Sequence, residues 1–391
     1  MYINDYSGYI GIIGGGIAGL TLGCALLKES IPVIIFEKSS EETSFGAAIS
    51  LSSNALRLLD KLDIYDDLKE QSFVHSYASI QGPQKPICSF KTPEILTTRR
   101  QTLMTLLLKK YQSLEGKIFY DHELKSFDSK KCEAIFNKNK NFFLSHLAGC
   151  DGIRSSIRES FFTKFENPKY SGYSAWRGIG KSNLKKVHFA LGPRSHVVSY
   201  PINHEGDVSF VAVKKENYKF KESWREEGSY QDLLNDFSSY NSSIFPKIEK
   251  SMPIYKWSIY IRPPLKSMTK DNITLLGDSA HPMVPFLGQG ACMAIEDAYT
   301  FAKLIKKNSH DFLSAQKAYD DVRNMRTKKI QKLSMMQGKI YHMKNPLLVS
   351  ARNAVMRYTN VPGNDLKKIH NYDAQEEINT YFLSEKRSNP T

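Results

Sequence analysis

The stretch Ile10-Gly11-Ile12-Ile13-Gly14-Gly15-Gly16-Ile17-Ala18-Gly19 decides the fold of this 391-residue chain. Its apolar start is typical of a buried strand, and residues 18–30 have the leucine spacing of a helix. Gly14 permits a tight turn, Gly16 lets a pyrophosphate approach the backbone, and Gly19 lets helix and strand pack closely. Phosphates bind at the positive N-terminal end of such a helix. The stretch therefore predicts a dinucleotide-binding unit.

A second apolar segment, Pro32 to Glu37, completes this unit. Its uninterrupted apolar run is typical of a parallel strand that is buried on both faces. Glu37, which Lys38 follows, ends the strand where an acidic side chain accepts hydrogen bonds from the adenosine ribose. An acid at this position argues against a 2′-phosphate, so FAD and NAD fit and NADP does not. Position alone does not choose between FAD and NAD.

Two further segments accompany the first. One is Cys150-Asp151-Gly152-Ile153-Arg154-Ser155-Ser156-Ile157-Arg158, and the other is Leu275-Leu276-Gly277-Asp278-Ser279-Ala280-His281-Pro282, which runs into Pro285-Phe286-Leu287-Gly288-Gln289-Gly290. In this order and spacing, the three segments resemble the single-component FAD-dependent aromatic hydroxylases over roughly residues 8 to 360. The resemblance is closest to the salicylate and 3-hydroxybenzoate hydroxylase branch.

The resemblance implies FAD as the cofactor and NADH or NADPH as the co-substrate. It places Asp278 on a ribose hydroxyl, Arg100 (or its neighbour Arg99) on FAD, and Pro285 beside the reactive edge of the flavin. The N–H groups that open the helix after Pro285 would face the N1/C2 region, where a helix N-terminus stabilises the charge of reduced flavin. In the second segment, Arg154 and Arg158 are one helical turn apart and are implicated in NAD(P)H use. The expected cofactor-binding residues are Gly14, Gly15, Gly16, Ala18, Gly19, Glu37, Lys38, Arg100, Asp151, Asp278, Pro285, Gly288, Gln289, Gly290 and Ala291.

A substrate pocket is expected around Trp176, His196 and Tyr200. By resemblance, Trp176 forms an apolar wall. His196 and Tyr200 are four residues apart in a predicted strand, so their side chains share a face. A neutral histidine with a pKa of ~6.5 would deprotonate a phenol, and the tyrosine would orient it. We therefore expect His196, Tyr200 and Pro285 to be catalytic; the alternative is a sheet pair packed under the flavin with its hydrogen bonds satisfied.

The predicted fold class is α/β. We expect a glutathione-reductase-like Rossmann FAD-binding domain with an inserted antiparallel β-sheet substrate domain and C-terminal helices, which is the fold of para-hydroxybenzoate hydroxylase. Residues 1–172 and 262–330 form the first domain. Residues 173–261 form the second, because short alternating segments between Gly, Pro and Asn turns are typical of an antiparallel sheet. Residues 331–391 form a helical segment and a polar tail.

The composition mainly argues against certain classes of site and segment. The formal net charge is +14, but the lysines are spread thinly along the chain, so we predict no nucleic-acid site. The five cysteines have no metal-ligand spacing, and no apolar run approaches the ~18 residues of a membrane span. The N-terminus lacks the features of a signal peptide. We expect a cytoplasmic monomer or homodimer whose partners are a small substrate and O2.

The resemblance implies a hydroxylase. NAD(P)H would reduce FAD, O2 would add at flavin C4a, and the hydroperoxide would transfer one oxygen atom to a small phenolic or heteroaromatic acid. The urate-hydroxylating relatives have an arginine where His196 stands, which favours a phenolic substrate over urate. Three alternatives stay open: oxygenation of a larger substrate such as a tetracycline or an isoprenoid, a flavin-binding regulatory protein without turnover, and a membrane-peripheral quinone hydroxylase.

Overall fold

The structure is a computed structural model that describes residues 3–40, 48–137, 140–163, 166–217, 227–248 and 253–388. The strands in these residues are β1 (Ile3–Ile13), β2 (Val33–Phe36), β3 (Ala48–Ser52), β4 (Phe73–Gln81), β5 (Pro86–Arg99), β6 (Lys117–Phe119), β7 (Leu124–Asp128), β8 (Glu133–Phe136), β9 (Lys140–Gly149), β10 (Lys169–Lys181), β11 (Val187–Gly192), β12 (Ser195–Pro201), β13 (Asp207–Lys215), β14 (Glu227–Gly228), β15 (Ile254–Ile261), β16 (Thr269–Lys270) and β17 (Ile273–Leu275). The α-helices are α1 (Ile17–Lys28), α2 (Ser53–Lys61), α3 (Tyr65–Glu70), α4 (Arg100–Ser113), α5 (Tyr230–Asp236), α6 (Gly290–Lys307), α7 (Phe312–Tyr341), α8 (Pro346–Tyr358), α9 (Val361–His370) and α10 (Ala374–Ser388).

The first sheet contains the predicted dinucleotide-binding unit. Its main path runs in the order β16-β17-β9-β1-β2-β6, and β8 joins it through β9. The five strands from β17 to β6 pair in parallel. Every residue of β2 is buried, as expected for a strand inside a parallel sheet. The strands and helices predicted around the glycine-rich stretch are therefore present.

The second sheet has the order β14-β15-β10-β13-β12-β11-β4-β5-β3. Its pairs are antiparallel except for β11 with β4. Strands β3 to β5 come from residues 48–99, so the sheet extends beyond the segment 173–261 that was expected to form it. Of these strands, β4 pairs with the edge of β11, which would otherwise present unpaired backbone groups. The division of the chain into domains stays a prediction.

The C-terminal residues are helical further than the expected polar tail suggests. Helix α10 packs against the core of the first sheet, with Ala374 and Ile378 fully buried. The Arg57 guanidinium on α2 donates hydrogen bonds to the carbonyl oxygens of His370 and Tyr372, at 3.2 Å and 2.5 Å. No helix among the described residues is both long enough and apolar enough to span a bilayer.

A cluster of buried charges joins helices α6 and α7. Arg323 on α7 is fully buried; its Nε donates to Asp297 Oδ1 at 2.8 Å and its Nη1 donates to Glu296 Oε2 at 2.7 Å. Arg326 adds a second cation beside Glu296, and His281 pairs with Asp297. Burial acts to raise the pKa of both carboxyls, but the neighbouring cations outweigh it and hold both pKa values below their usual range. We call Arg323, Arg326, Glu296, Asp297 and His281 the Arg323 cluster.

Replacing Arg323 by methionine tests the contribution of this cluster. The variant keeps the side-chain length but leaves two buried carboxylates without their main partner, which costs about 3–5 kcal/mol. For a chain of this size we expect the melting temperature to fall by about 4–6 °C. The matched control is Lys329→Ala, which removes an exposed charge from the same helix and should leave the melting temperature unchanged. Equal melting temperatures for both variants would show that the cluster does not stabilise the fold.

Candidate cofactor and substrate site

The three sequence segments meet at one edge of the first sheet. They follow β1, β9 and β17, which are neighbouring parallel strands, so their carboxyl ends lie side by side. The backbone N–H of Cys150 donates to the carbonyl oxygen of Ile13 at 2.8 Å, and that of Leu276 donates to Gly149 at 3.0 Å. The hydroxyl of Ser279 also donates to Gly149, at 2.6 Å. Segments more than 100 residues apart in sequence thus form one continuous loop surface.

Two glycines of the first segment are required by the packing of the protein itself. Gly14 has φ +105°, and a Cβ there would lie 2.5 Å from the carbonyl oxygen of Cys150. A Cβ on Gly19 would collide with the carbonyl oxygen of Gly14. These positions therefore fix the turn and the contact between α1 and β1, as the motif predicts.

Gly277 is required for a similar reason. Its φ is +61°, and a Cβ there would lie 3.1 Å from Ala294 Cβ on α6 and 3.3 Å from Ala18 Cβ on α1. The Gly-Asp loop therefore passes between two helices at close range. This contact brings Asp278 next to the glycine-rich loop.

Gly16 and Gly290 differ from these glycines because they face open space. A Cβ on either residue would meet no protein atom within 4 Å. Gly16 precedes α1 and Gly290 begins α6, and the first N–H groups of a helix have no acceptor within it. Space beside the positive ends of two helices suits a pyrophosphate at one and a negatively charged flavin ring at the other. The residues present therefore fit FAD.

Glu37 is held in position at the end of β2. Its Oε2 accepts a hydrogen bond from the backbone N–H of Gly15 at 2.7 Å, and its Oε1 accepts one from Ser39 at 2.9 Å. The carboxylate oxygens retain lone pairs for a ribose hydroxyl. Lys38 is exposed beside it.

In the second segment, Asp151 accepts a hydrogen bond from the backbone N–H of Ser156 at 3.0 Å. Its Oδ1 is buried and has no partner among the described residues, and burial raises its pKa. Arg158 is fully buried and donates to the carbonyl oxygens of Ala280 at 2.6 Å and Pro263 at 2.7 Å. Arg158 thus ties this segment to the Gly-Asp loop. Since Arg154 is exposed, the two arginines do not present the shared face expected for NAD(P)H.

Asp278 is exposed and interacts electrostatically with Arg100. The surrounding protein raises the pKa of Asp278, while His281 and Arg100 act in the opposite direction. Arg99, the alternative to Arg100, forms an ion pair with Asp207 at 2.8 Å. The arrangement therefore favours Arg100 as the arginine that lies beside the cofactor site.

The loop from Pro285 to Gly290 is anchored to β3 and α2. It begins with a short 3₁₀-helix (Pro285–Leu287) and turns at Gly288, where φ is +63° and a Cβ would lie 2.7 Å from Ser50 Oγ. Pro285 is exposed, whereas the side chain of Gln289 is buried. Gln289 donates to Ser52 Oγ at 2.8 Å and accepts from Asn54 Nδ2 at 3.0 Å. The backbone from Gly288 to Ala291 is therefore held in place by side chains below it.

His196 and Tyr200 lie on the same face of β12, as predicted. Tyr200 Oη donates to the carbonyl oxygen of Ala48 on β3 at 3.4 Å. Burial raises the pKa of Tyr200, although Arg177 acts in the opposite direction. His196 shares a 2.6 Å hydrogen bond between its Nδ1 and His342 Nε2. Burial, reinforced by His342, holds the pKa of His196 well below its ordinary value, so the expected pKa near 6.5 is corrected: the imidazole is neutral at physiological pH.

Trp176 does not lie on this face. Its indole Nε1 donates to Asp236 on α5 at 2.8 Å, and its ring packs with Phe237 on the far side of the sheet. Successive residues of a strand point to opposite faces, and the residue of β10 in register with His196 through β13 is Ala175. The expectation that Trp176 forms a wall of the pocket is therefore wrong, because Trp176 lies on the face of the sheet opposite to His196.

The neighbouring residue, Arg177, faces the cleft instead. It pairs with Val211 on β13, which in turn pairs with Val198 on β12, midway between His196 and Tyr200. Sequence analysis did not identify it, because its face depends on the register between β10 and β13, which no local pattern specifies. Arg177 interacts electrostatically with both Tyr200 and Arg100. We call Arg177, Val198, Val211, His196 and Tyr200 the sheet floor.

A model of the family described as FAD binding domain matches residues 9–331. The chain belongs to this family. The match confirms the predicted family, fold class and FAD cofactor, which the resemblance had implied from three segments. It spans the glycine-rich loop, the second segment, the Gly-Asp loop and the sheet floor.

Similar individual proteins support this family assignment. The chain is 27% identical over 364 residues to a 3-amino-4-hydroxybenzoate 2-monooxygenase of Streptomyces platensis, covering 88% of this chain and 90% of the relative. A salicylate hydroxylase in complex with substrate superposes with a TM-score of 0.81 at 21% identity, covering 96% of this chain and 98% of the other. HpxO of Klebsiella pneumoniae, complexed with FAD and uric acid, superposes with a TM-score of 0.82 at 18% identity, covering 93% and 96%. The two structures show the fold, and the relative bears out the prediction of an FAD-dependent monooxygenase.

The two kinds of glycine give a test of the FAD site. Gly16→Val adds a side chain in open space, so the protein should fold normally but lose most of its bound FAD, because the valine occupies the approach of the pyrophosphate. Gly14→Ala should instead lower the melting temperature even without FAD, because its Cβ meets Cys150. Flavin content from absorbance and melting of the apoprotein separate the two effects. Normal FAD content in Gly16→Val would contradict the site.

Proposed function

We propose that this FAD-dependent monooxygenase uses NADH or NADPH and O2 to hydroxylate a small phenolic or heteroaromatic acid. The observation that carries the proposal is the position of the sheet floor. Tyr200 bonds to β3 through Ala48, and β3 contacts the Pro285–Gly290 loop through Ser50 and Ser52. Aromatic, imidazole and guanidinium groups therefore face the segment that resembles the flavin-edge loop of the aromatic hydroxylases.

When bound, FAD stores the electrons of NAD(P)H and activates O2 for transfer of one oxygen atom. The chain provides the environment for that chemistry. The N-terminus of α6 stabilises negative charge beside the flavin ring. Asp278 and Arg100 set the polarity at the edge of the cleft, and Pro285 shapes the loop without offering an N–H donor. The apolar side chains Val198 and Val211 of the floor limit access of water to the reacting atoms.

The floor residues orient the substrate and handle its proton. The Tyr200 hydroxyl lies where it can donate to a phenolic oxygen, as it now donates to Ala48. His196 is neutral and bonds His342 through Nδ1, so in the tautomer in which Nδ1 donates, its Nε2 is the ring nitrogen that can accept a substrate proton. Removing that proton makes the ring more electron-rich, and an electron-rich ring reacts more readily with an electrophilic oxygen. The substrate of the Streptomyces platensis relative, an aminohydroxybenzoate, has this character and supports the proposal.

The function is tested by oxidation of NADH and NADPH with salicylate, 3-hydroxybenzoate, 6-hydroxynicotinate, urate and a tetracycline. Product is measured in the same assays, because some ligands stimulate reduction and yield only peroxide. We expect one of the aromatic acids to give hydroxylated product in proportion to the NAD(P)H consumed. Product from the tetracycline alone would replace the proposal by oxygenation of a larger substrate, and no stimulation by any compound would contradict it.

Tyr200→Phe tests the role of the floor. Removing the hydroxyl should slow hydroxylation about 100-fold, by the usual contribution of a group that assists proton transfer, and should divert reducing equivalents to peroxide. Flavin content and anaerobic flavin reduction should be unchanged. Tyr77→Phe is the matched control, since Tyr77 lies on the same sheet but is 48% exposed. An unchanged ratio of product to NAD(P)H in Tyr200→Phe would remove Tyr200 from the reaction.

A further inference from the structure

We propose that Arg177 binds the anionic group of the substrate and thereby restricts the enzyme to aromatic acids. This inference rests on the proposed function, since it concerns the same cleft. It assigns a specificity-determining role to a residue that the three cofactor segments do not include.

Arg177 has no counter-ion among the residues that the structure describes. It makes no hydrogen bond or ion pair with any residue that the structure describes, and its Nε is buried without a partner. Burial, together with the like charge of Arg100, lowers its pKa, but an arginine remains protonated at any physiological pH. Leaving a charged donor group desolvated and unpaired is costly. An anion supplied from outside the chain removes that cost.

The buried arginines of the described residues differ from Arg177. Arg323 pairs with two carboxylates and Arg262 pairs with Glu159. Arg158 and Arg352 each donate to backbone carbonyl oxygens. Each of these four has its partners within the protein. Arg177 has its charge directed to the cleft, where the protein provides a second arginine and no described carboxylate in contact.

The guanidinium is also held in one orientation. Its central carbon lies 4.7 Å from the centre of the Trp257 ring, a cation–π contact that fixes the guanidinium against the ring and leaves donor edges available. A fixed, planar guanidinium matches the two oxygens of a carboxylate. Trp257 comes from β15, the strand beside β10, so the second sheet itself positions the group.

The register places the three polar groups around an apolar centre. Val211 and Val198 lie between Arg177 and β12, and adjacent strands are about 4.8 Å apart, so Arg177 and the His196–Tyr200 pair are separated by roughly 10 Å at their Cα atoms. A single aromatic ring on the two valines reaches both sides. Its acid group then meets Arg177, while its hydroxyl meets Tyr200 or His196. This arrangement selects for rings that carry both groups.

The test compares an acid with its neutral analogue. Binding of 3-hydroxybenzoate and 3-hydroxybenzamide to the FAD-loaded protein is measured by calorimetry, with salicylate and 6-hydroxynicotinate as further acids. Arg177→Gln should weaken binding of the tightest-binding acid about 10- to 100-fold. It should change the affinity for the amide less than about 3-fold. Arg177→Lys should give an intermediate loss, because it keeps the charge but not the planar fork. The control Arg194→Gln removes an exposed arginine from the turn between β11 and β12 and should change neither affinity.

Each other outcome overturns the assignment. Loss of FAD from Arg177→Gln would make Arg177 a cofactor residue, and equal losses for acid and amide would make it structural. Unchanged acid affinity in Arg177→Gln, or no binding of any of the three acids to the unaltered protein, would also refute it. Because binding is measured without turnover, acids that bind through Arg177 but are not hydroxylated would contradict the proposed function and leave the anion site standing.

Discussion

The buried pairing of Arg323 with Glu296 and Asp297 is the interaction on which the rest of the structure depends. Asp297 also accepts the backbone N–H of Gly277 at 2.9 Å, so the Gly-Asp loop is held by the same carboxylate that binds the arginine. Glu296 accepts a hydrogen bond from Asn54 at 2.6 Å, and Asn54 bonds Gln289, so the Pro285–Gly290 loop is linked to the same ions. The cluster therefore positions both loops from one point. Without these charges, both loops would lose the hydrogen bonds that hold them against α6.

The two sheets contribute different parts of the candidate site. The first sheet collects three loops at its carboxyl edge, where helix N-termini, glycines and a few carboxylates fit FAD. The second sheet presents the sheet floor. Asp278, Arg100, Arg177 and Tyr200 form a chain of interacting groups from one sheet to the other. If the proposed roles of Arg177 and Tyr200 hold, substitutions there would change substrate choice without altering the glycine-rich loop.

How much the sequence could predict depends on how far apart in the chain the interacting residues lie. The turn at Gly14 and the strand before it depend on local sterics, so a ten-residue stretch predicts them. The facing of His196 and Tyr200 follows from strand alternation within one strand. Trp176 was misplaced because its face depends on the register between β10 and β13, which no local pattern specifies. Arg177 was missed for the same reason. Arg323 was missed because its partners lie on another helix. The part of the sheet from β3 to β5 was missed because β4 pairs with β11, which is distant in the chain.

The central claim is that the three loops form one FAD site that faces the sheet floor. A crystal structure of the FAD-loaded protein tests it most directly. The account predicts the pyrophosphate at Gly16 and the N-terminus of α1, and the flavin ring between the Pro285–Gly290 loop and the floor, with one edge toward Tyr200 and Arg177. A flavin ring that points away from the floor, or an FAD that does not contact the glycine-rich loop, would contradict it.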